Sequence, residues 1–444
     1  MSEFFEYTKA DIESKYRILV WPNITYSEDL EKDSYVVVLS NVIREVNKIV
    51  PGLFWTIVTP KEVRSLKFEN TEQILYSLPT YPNSMRIHFD FKKVLDLIDW
   101  RQNDYDIVYS HLPEHTLQLS NLFFNQTNIR PKFLGYCHWY EVDENTEYAK
   151  TAFMNNIAGT LEMEECGVNS NWLKELIIDK CKDIYSKKVI NKLERIIQPH
   201  YLGVDESIVS KSEKTLSKSI LFNHRKNKYT GWNEFLKTMD KLYEIRKDFT
   251  VYVTLADEER PYIKKVCLDR KSYGDFISRI HVGVGFFKDY SAWSISVTDG
   301  LSRNVPYLLP KKLCYPEMVG SDYPLFYDNE TEFLNKISSV LDDDNFKEKN
   351  LDKLQTISES LKWSSTVPKW FGRWKVFDDF PTLSKDTPRY SDILNLIKND
   401  RFVSKEKLMD FLGWGVNISM SPYRNRLRNE PDVKFLKNGY QYIK

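Results

Sequence analysis

Short runs of apolar residues, each followed by a stretch with helical spacing, recur along most of this sequence, and that alternation constrains the fold more than any other feature. From Tyr16, YRILVWPNITY reads as a buried strand running into a loop. Ser34 to Val50 then places Val37, Val38, Val42, Val46 and Ile49 on one helical face. Further apolar runs begin at Phe54, Tyr105, Lys132 and Gly167, and a second series begins at Ser219, Thr250, Ile280, Tyr307 and Leu325. Strands alternating with helices predict parallel, doubly wound α/β sheets. The charged, hydroxyl-rich stretch from Lys211 to Lys218 separates the two series. Two Rossmann-like domains are therefore expected, over residues 1–210 and 211–375, with a cleft between them suited to a ligand.

The last fifty-odd residues break this rhythm. After a linker over 376–390, SDILNLIK and SKEKLMDFL read as short amphipathic helices, and a third helix is expected from Ser421 with Pro422 at its first position. Two short alternating segments then flank Lys437-Asn438-Gly439, a strong hairpin signal. Three helices and a hairpin predict a winged helix-turn-helix over 391–444. This segment carries ten Lys plus Arg against six Asp plus Glu. Arg424, Arg426 and Arg428 lie along the third helix, with Arg424 and Arg428 on one face, and Lys434 and Lys437 sit on the hairpin; a nucleic-acid partner is expected there.

Charge excludes a chain-wide attraction to polyanions, because the 444 residues hold 63 basic and 63 acidic side chains. Five scattered cysteines, with no ligand spacing to histidine or to one another, predict reduced thiols and no structural metal. The N-terminus has no signal-peptide pattern and no run is long enough to span a bilayer, so a cytoplasmic protein without a membrane partner is expected.

Candidate site residues cluster where strands end. Residues 223–231, Asn-His-Arg-Lys-Asn-Lys-Tyr-Thr-Gly, connect a strand to a helix, where Arg225 and Lys228 with backbone N–H groups suit a diphosphate. Asp299, on a short helix preceded by Ser294, Ser296 and Thr298, suits either a helix cap or the two hydroxyls of a ribose. His138 follows another predicted strand and is a candidate proton relay or hydrogen-bond donor. His111 and Glu114, after the strand from Tyr105, are candidates on the acceptor side.

Four of these segments in this order resemble the GT-B glycosyltransferases, in particular the retaining, nucleotide-sugar-dependent group called family four. They are GVNSNWLKELI (167–177), IIQPHYLGVD (196–205), ILFNHRKNKYTGWNEF (220–235) and SAWSISVTDGLSRNVPYLLP (291–310). The resemblance covers about residues 16 to 360 and implies a transferase needing no metal or cofactor, with a UDP-sugar as the expected donor. It implies that Arg225 and Lys228, with Lys226 as the alternative in register, bind the donor diphosphate. By the same likeness Asp299 binds ribose and His138 lies near the transferred sugar; His138 and the diphosphate-binding Arg225 are the expected catalytic residues, with Ser296 and Thr298 as hydrogen-bonding groups near Asp299. The family's first glutamate is replaced by Ser291, and its glycine-rich loop after the first strand is missing from WPNITYSEDLEKDSY. Joined to a winged helix, such a core resembles in function the bacteriophage enzymes that glycosylate hydroxymethylated pyrimidines in DNA. DNA is then the expected acceptor, in host cytoplasm for a phage-encoded chain. The alternatives are a transferase acting on a modified tRNA base and a non-catalytic nucleic-acid-binding protein.

Overall fold

A computed structural model of the chain describes residues 16–23, 33–50, 53–60, 70–76, 88–98, 105–127, 130–137, 140–142, 147–204, 215–254, 258–268, 270–287, 289–371, 374, 390–411, 427, 431–436 and 439–443. By internal contacts the chain divides into two compact units. One holds Met1–Gly167, Ile177–Gln198 and Trp370–Lys444, and the other holds Val168–Leu176 and Pro199–Lys369.

The first sheet contains β1 (Tyr16–Trp21), β2 (Leu53–Pro60), β3 (Thr71–Tyr76), β4 (Ile107–Ser110), β5 (Lys132–Tyr136), β6 (Glu165–Val168) and β7 (Ile197–Pro199), in the order β3-β2-β1-β4-β5-β6-β7. β1 pairs in parallel with both β2 and β4, and the pairs from β2 to β3 and from β4 through β6 are parallel as well. The second sheet contains β8 (Leu216–Phe222), β9 (Thr250–Val253), β10 (Ile263–Lys265), β11 (Ile280–Val284), β12 (Tyr307–Pro310) and β13 (Phe326–Tyr327). Its order is β10-β9-β8-β11-β12-β13, all parallel.

Each sheet therefore winds outward from its first strand and then reverses, so the order switches between β1 and β4 in one and between β8 and β11 in the other. Ligands of open α/β sheets bind beyond the carboxyl ends of the strands at such a switch. The central strands are legible because helices cover both faces. All six residues of β1, all five of β11 and all four of β12 are buried, which demands continuous apolar runs.

The terminal segment holds helix Tyr390–Asp400, β14 (Phe402–Ser404), helix Lys405–Phe411, β15 (Val433–Leu436) and β16 (Gly439–Tyr442). These strands form an antiparallel sheet ordered β14-β16-β15. Ile393, Ile397, Val403, Leu408, Leu427, Val433 and Tyr440 make its core. β14 is not anticipated by the sequence, because three residues between two helices show no periodicity. The expected helix from Ser421, with Arg424, Arg426 and Arg428, lies outside the described residues, as does Lys437. Among the described residues no helix is long and apolar enough to cross a membrane.

Candidate active site

At the second switch point β8 ends in Phe222 and the chain passes through residues 223–231 into helix Trp232–Ile245. Gly231 is the N-cap, in the left-handed region at φ 69°, and no side chain caps the helix. A Cβ at this position would lie 2.0 Å from the Phe286 carbonyl oxygen, so glycine is required on both steric and conformational grounds. Thr230 holds the turn by donating its hydroxyl to the carbonyls of Arg225 and Asn227, each at 2.8 Å. Among the described residues this N-terminus has no side-chain cap, and such an end favours an anion.

The three basic candidates here are all exposed but not equivalent. Lys226 Nζ lies 3.6 Å from the Glu258 carboxylate. The side chains of Arg225 and Lys228 make no ion pair or hydrogen bond among the described residues. Their charges remain available beside the uncapped helix, which favours Lys228 over Lys226 as the second cation.

Behind the loop, Asn223 ties the turn to the helix that carries Asp299. Its amide nitrogen donates to the Ser296 carbonyl at 2.7 Å and to the Tyr273 hydroxyl oxygen at 3.0 Å, and its amide oxygen accepts from the Tyr307 hydroxyl at 3.2 Å. Tyr307 approaches closely because residue 300 is glycine: a Cβ there would sit 2.3 Å from its ring. Burial, the Tyr273 hydroxyl and the Asp299 carboxylate hold the Tyr307 phenol far above its ordinary range. Burial raises Tyr273 too, with the charge of Asp299 as the next cause. The loop cations and Asp299 are thereby linked through one buried, hydrogen-bonded amide.

Asp299 is the fifth residue of helix Ile295–Leu301, so the expectation that it might cap the helix is corrected. Ser294 is the cap, its hydroxyl accepting from the Val297 N–H at 3.3 Å. Serine and aspartate are both favoured as caps and the sequence alone does not fix the first helical residue, which is why the cap reading stood open for Asp299. Thr298 donates its hydroxyl to the Ile295 carbonyl within the helix. Ser291 is buried, with its hydroxyl 3.6 Å from the Cys314 sulfur, and burial pushes that thiol up to about 12. Aromatic contacts pin the loop before the helix, Trp293 stacking on Tyr201 and Tyr290 meeting Trp172 edge-on.

His224, next to Arg225, is buried, and its Nε2 lies 3.0 Å from the Val284 carbonyl oxygen. Burial lowers its pKa to about 4, so it is neutral at physiological pH. Its ring meets Phe222 and Phe287 edge-on, and it locks the base of the loop to the end of β11.

The first switch point is built differently. Helix Ser34–Ile49 is capped by Asp33, whose carboxylate accepts from the N–H groups of Tyr35 at 2.9 Å and Val36 at 3.1 Å. His111 follows β4 and is fully buried among Tyr35, Tyr109 and Tyr136. Glu114 is buried in the first turn of helix Pro113–Thr127, and neighbouring His115 accepts from the Trp21 indole N–H at 3.0 Å. His138 lies outside the described residues. A third helix N-terminus, at Asn171, is also occupied: Glu317 accepts from the N–H groups of Asn171 and Trp172 at 2.7 Å and from the Tyr201 hydroxyl at 3.0 Å. Burial raises the Glu317 pKa.

Sequence reasoning singled out the basic loop and Asp299 as candidates and gave no role to Asn223, Tyr273, Tyr307 or Asp33. Asn223 and His224 were visible as two polar residues directly following a buried strand, a placement that burial makes costly unless both are bonded.

Neither a protein-family model nor a curated protein matches the sequence. Solved structures match the fold. Sucrose-phosphate synthase from Thermosynechococcus elongatus aligns at 11% identity and a TM-score of 0.57, covering 82% of this chain and 99% of that one. A glycosyltransferase from Rickettsia africae aligns at 15% and 0.57 over 82% of this chain and 98% of its own. Anabaena HepE, solved with UDP and glucose, aligns at 8% and 0.55 over 80% and 98%. The chain therefore has an α/β fold of two parallel sheets like that of the GT-B glycosyltransferases.

Proposed function

We propose that this protein is a glycosyltransferase that takes a sugar from a nucleoside-diphosphate donor, with UDP as the nucleotide, and transfers it with retention to the hydroxyl of a hydroxymethylated pyrimidine in DNA. The observation that carries the donor half is the uncapped N-terminus of helix Trp232–Ile245 with Arg225 and Lys228 beside it, neither paired among the described residues. This arrangement meets the charge that grows on a departing diphosphate. In the transfer the bond from the sugar's anomeric carbon to the β-phosphate oxygen breaks and a bond to the acceptor oxygen forms. The acceptor's proton passes to the departing diphosphate, so no protein base is required. Asp299 accepts the ribose hydroxyls, and Arg225 acts at the reacting phosphate. The acceptor half rests on the basic excess of residues 391–444 and on their helix–strand–helix and hairpin order, which suits a winged helix. Its exposed Lys434, with Arg424, Arg426, Arg428 and Lys437, would meet phosphates.

The test is incubation of the full chain with a panel of nucleotide sugars and DNA containing 5-hydroxymethylcytosine or 5-hydroxymethyluracil, followed by mass spectrometry of the released nucleosides. A hexose or pentose adduct on the modified base is expected. An adduct on tRNA with none on DNA would overturn the acceptor, and neither turnover nor donor binding would overturn the transferase reading.

A further inference from the structure

The second unit also contains a cavity of about 680 Å³ that includes none of Arg225, Lys228, Ser296 or Asp299 in its walls. It opens beyond the ends of β11, β12 and β13, between helices Trp232–Ile245 and Glu330–Asp342, and its size is that of a small-molecule site. One wall is apolar, formed by Phe286, Phe287, Phe333 and the ring of Tyr327, whose hydroxyl is committed to the Gly285 carbonyl at 2.6 Å.

The cavity is lined by four lysines and four carboxylates, and they differ in which are already paired. Glu330 is neutralised locally, accepting from Lys241 at 2.6 Å and Thr238 at 3.0 Å, and Asp240 is held by Arg260 and Tyr262. Glu234, which also lines the cavity, has an interaction of its own, and Asp328 is an exposed carboxylate on the rim. Against it stand Lys237, Lys311 and Lys312, all exposed and all without an ion pair or hydrogen bond at the ammonium among the described residues. Three unpaired ammonium groups beside an aromatic wall suit a ligand that joins a phosphate to a flat apolar ring.

We propose that this cavity binds a nucleoside phosphate unit, with its phosphate on Lys237, Lys311 and Lys312 and its base against Phe286, Phe287 and Tyr327. The unit is either a free nucleotide or one link of a single strand. The inference stands independently of the donor loop, and the experiment keeps the two apart.

UMP, uridine, inorganic phosphate and a single-stranded pentanucleotide are titrated calorimetrically into the full chain carrying R225A and K228A, which silences the donor loop. UMP is expected to bind, to bind at least about tenfold more weakly when K311A and K312A are added, and to weaken as salt rises. Uridine and inorganic phosphate alone are each expected to bind about tenfold more weakly than UMP, since each lacks one half of the recognised unit. A pentanucleotide tighter than UMP assigns the cavity to a strand, and the reverse order assigns it to a free nucleotide. The proposal is overturned by UMP affinity unchanged in a K237A/K311A/K312A variant, by uridine or phosphate binding as well as UMP, or by no UMP binding in the R225A/K228A background.

Discussion

The two sheets repeat one strand order, yet their switch points are chemically opposite. After β1 the helix Ser34–Ile49 begins under the Asp33 carboxylate, and the end of β4 is closed by a fully buried histidine among three tyrosines. After β8 the helix Trp232–Ile245 begins at a glycine with no side-chain cap, next to two cations that have no ion-pair or hydrogen-bond partner among the described residues. Topology makes two crevices available, and side chains decide which can accept an anion. A carboxylate already bonded to the first-turn N–H groups fills the place a phosphate would take, and its own charge repels a second anion.

The comparison breaks most severely at Gly231. Gly231→Ala combines a left-handed φ with a backbone clash, and a loss of about 3 kcal/mol in unfolding free energy is expected from the two together, read by thermal or urea denaturation. A variant as stable as the parent would show that this turn is not the rigid cradle described.

His224 gives an effect of comparable size through pH. Its folded pKa of about 4 lies below the ordinary histidine value of 6.5. The unfolded chain therefore takes up the proton first, and stability present above pH 6.5 is lost as pH falls toward 4. The full difference is on the order of 3 kcal/mol. His224→Gln should flatten that part of the stability profile, and an unaltered slope would place the titration elsewhere.

Arg225→Ala and Lys228→Ala should each weaken donor binding about tenfold or more, the size of a charge-assisted contact, while Lys226→Ala, whose partner is Glu258, should change it less. A larger effect at Lys226 would reverse the assignment. At the other crevice Asp33→Ala should cost about 1 kcal/mol of stability, as lost N-caps do, with donor affinity unchanged. A shift in donor affinity there would mean that the first crevice also serves the nucleotide.

Much of the fold, and less of the contrast between the crevices, could be read in the sequence, and the reasons for the gaps are physical. YRILVW, SILF, IHVGV and YLLP announce themselves because strands covered on both faces must be apolar throughout. β3 and β10 carry polar residues, TEQILY and IKK, because they lie at sheet edges and face solvent in part, so no apolar run marks them. The basic loop was legible from residue type and position. Its availability was not, since whether a lysine is already paired depends on Glu258, thirty-two residues further along the chain. Nor does sequence distance reveal that Asn223 reaches Ser296 and Tyr307. Those bonds join segments that become neighbours only when β8, β11 and β12 are in order.

On the proposed function, the crevice after β8, and not the one after β1, holds the donor diphosphate. Calorimetric titration of UDP-glucose into the full chain tests it most directly, carried out with K311A and K312A present so that the neighbouring cavity does not contribute. Binding is expected to fall about tenfold or more on adding R225A and K228A and to stay unchanged on adding D33A. Binding that ignores the first pair of substitutions, or that responds to D33A instead, would contradict it.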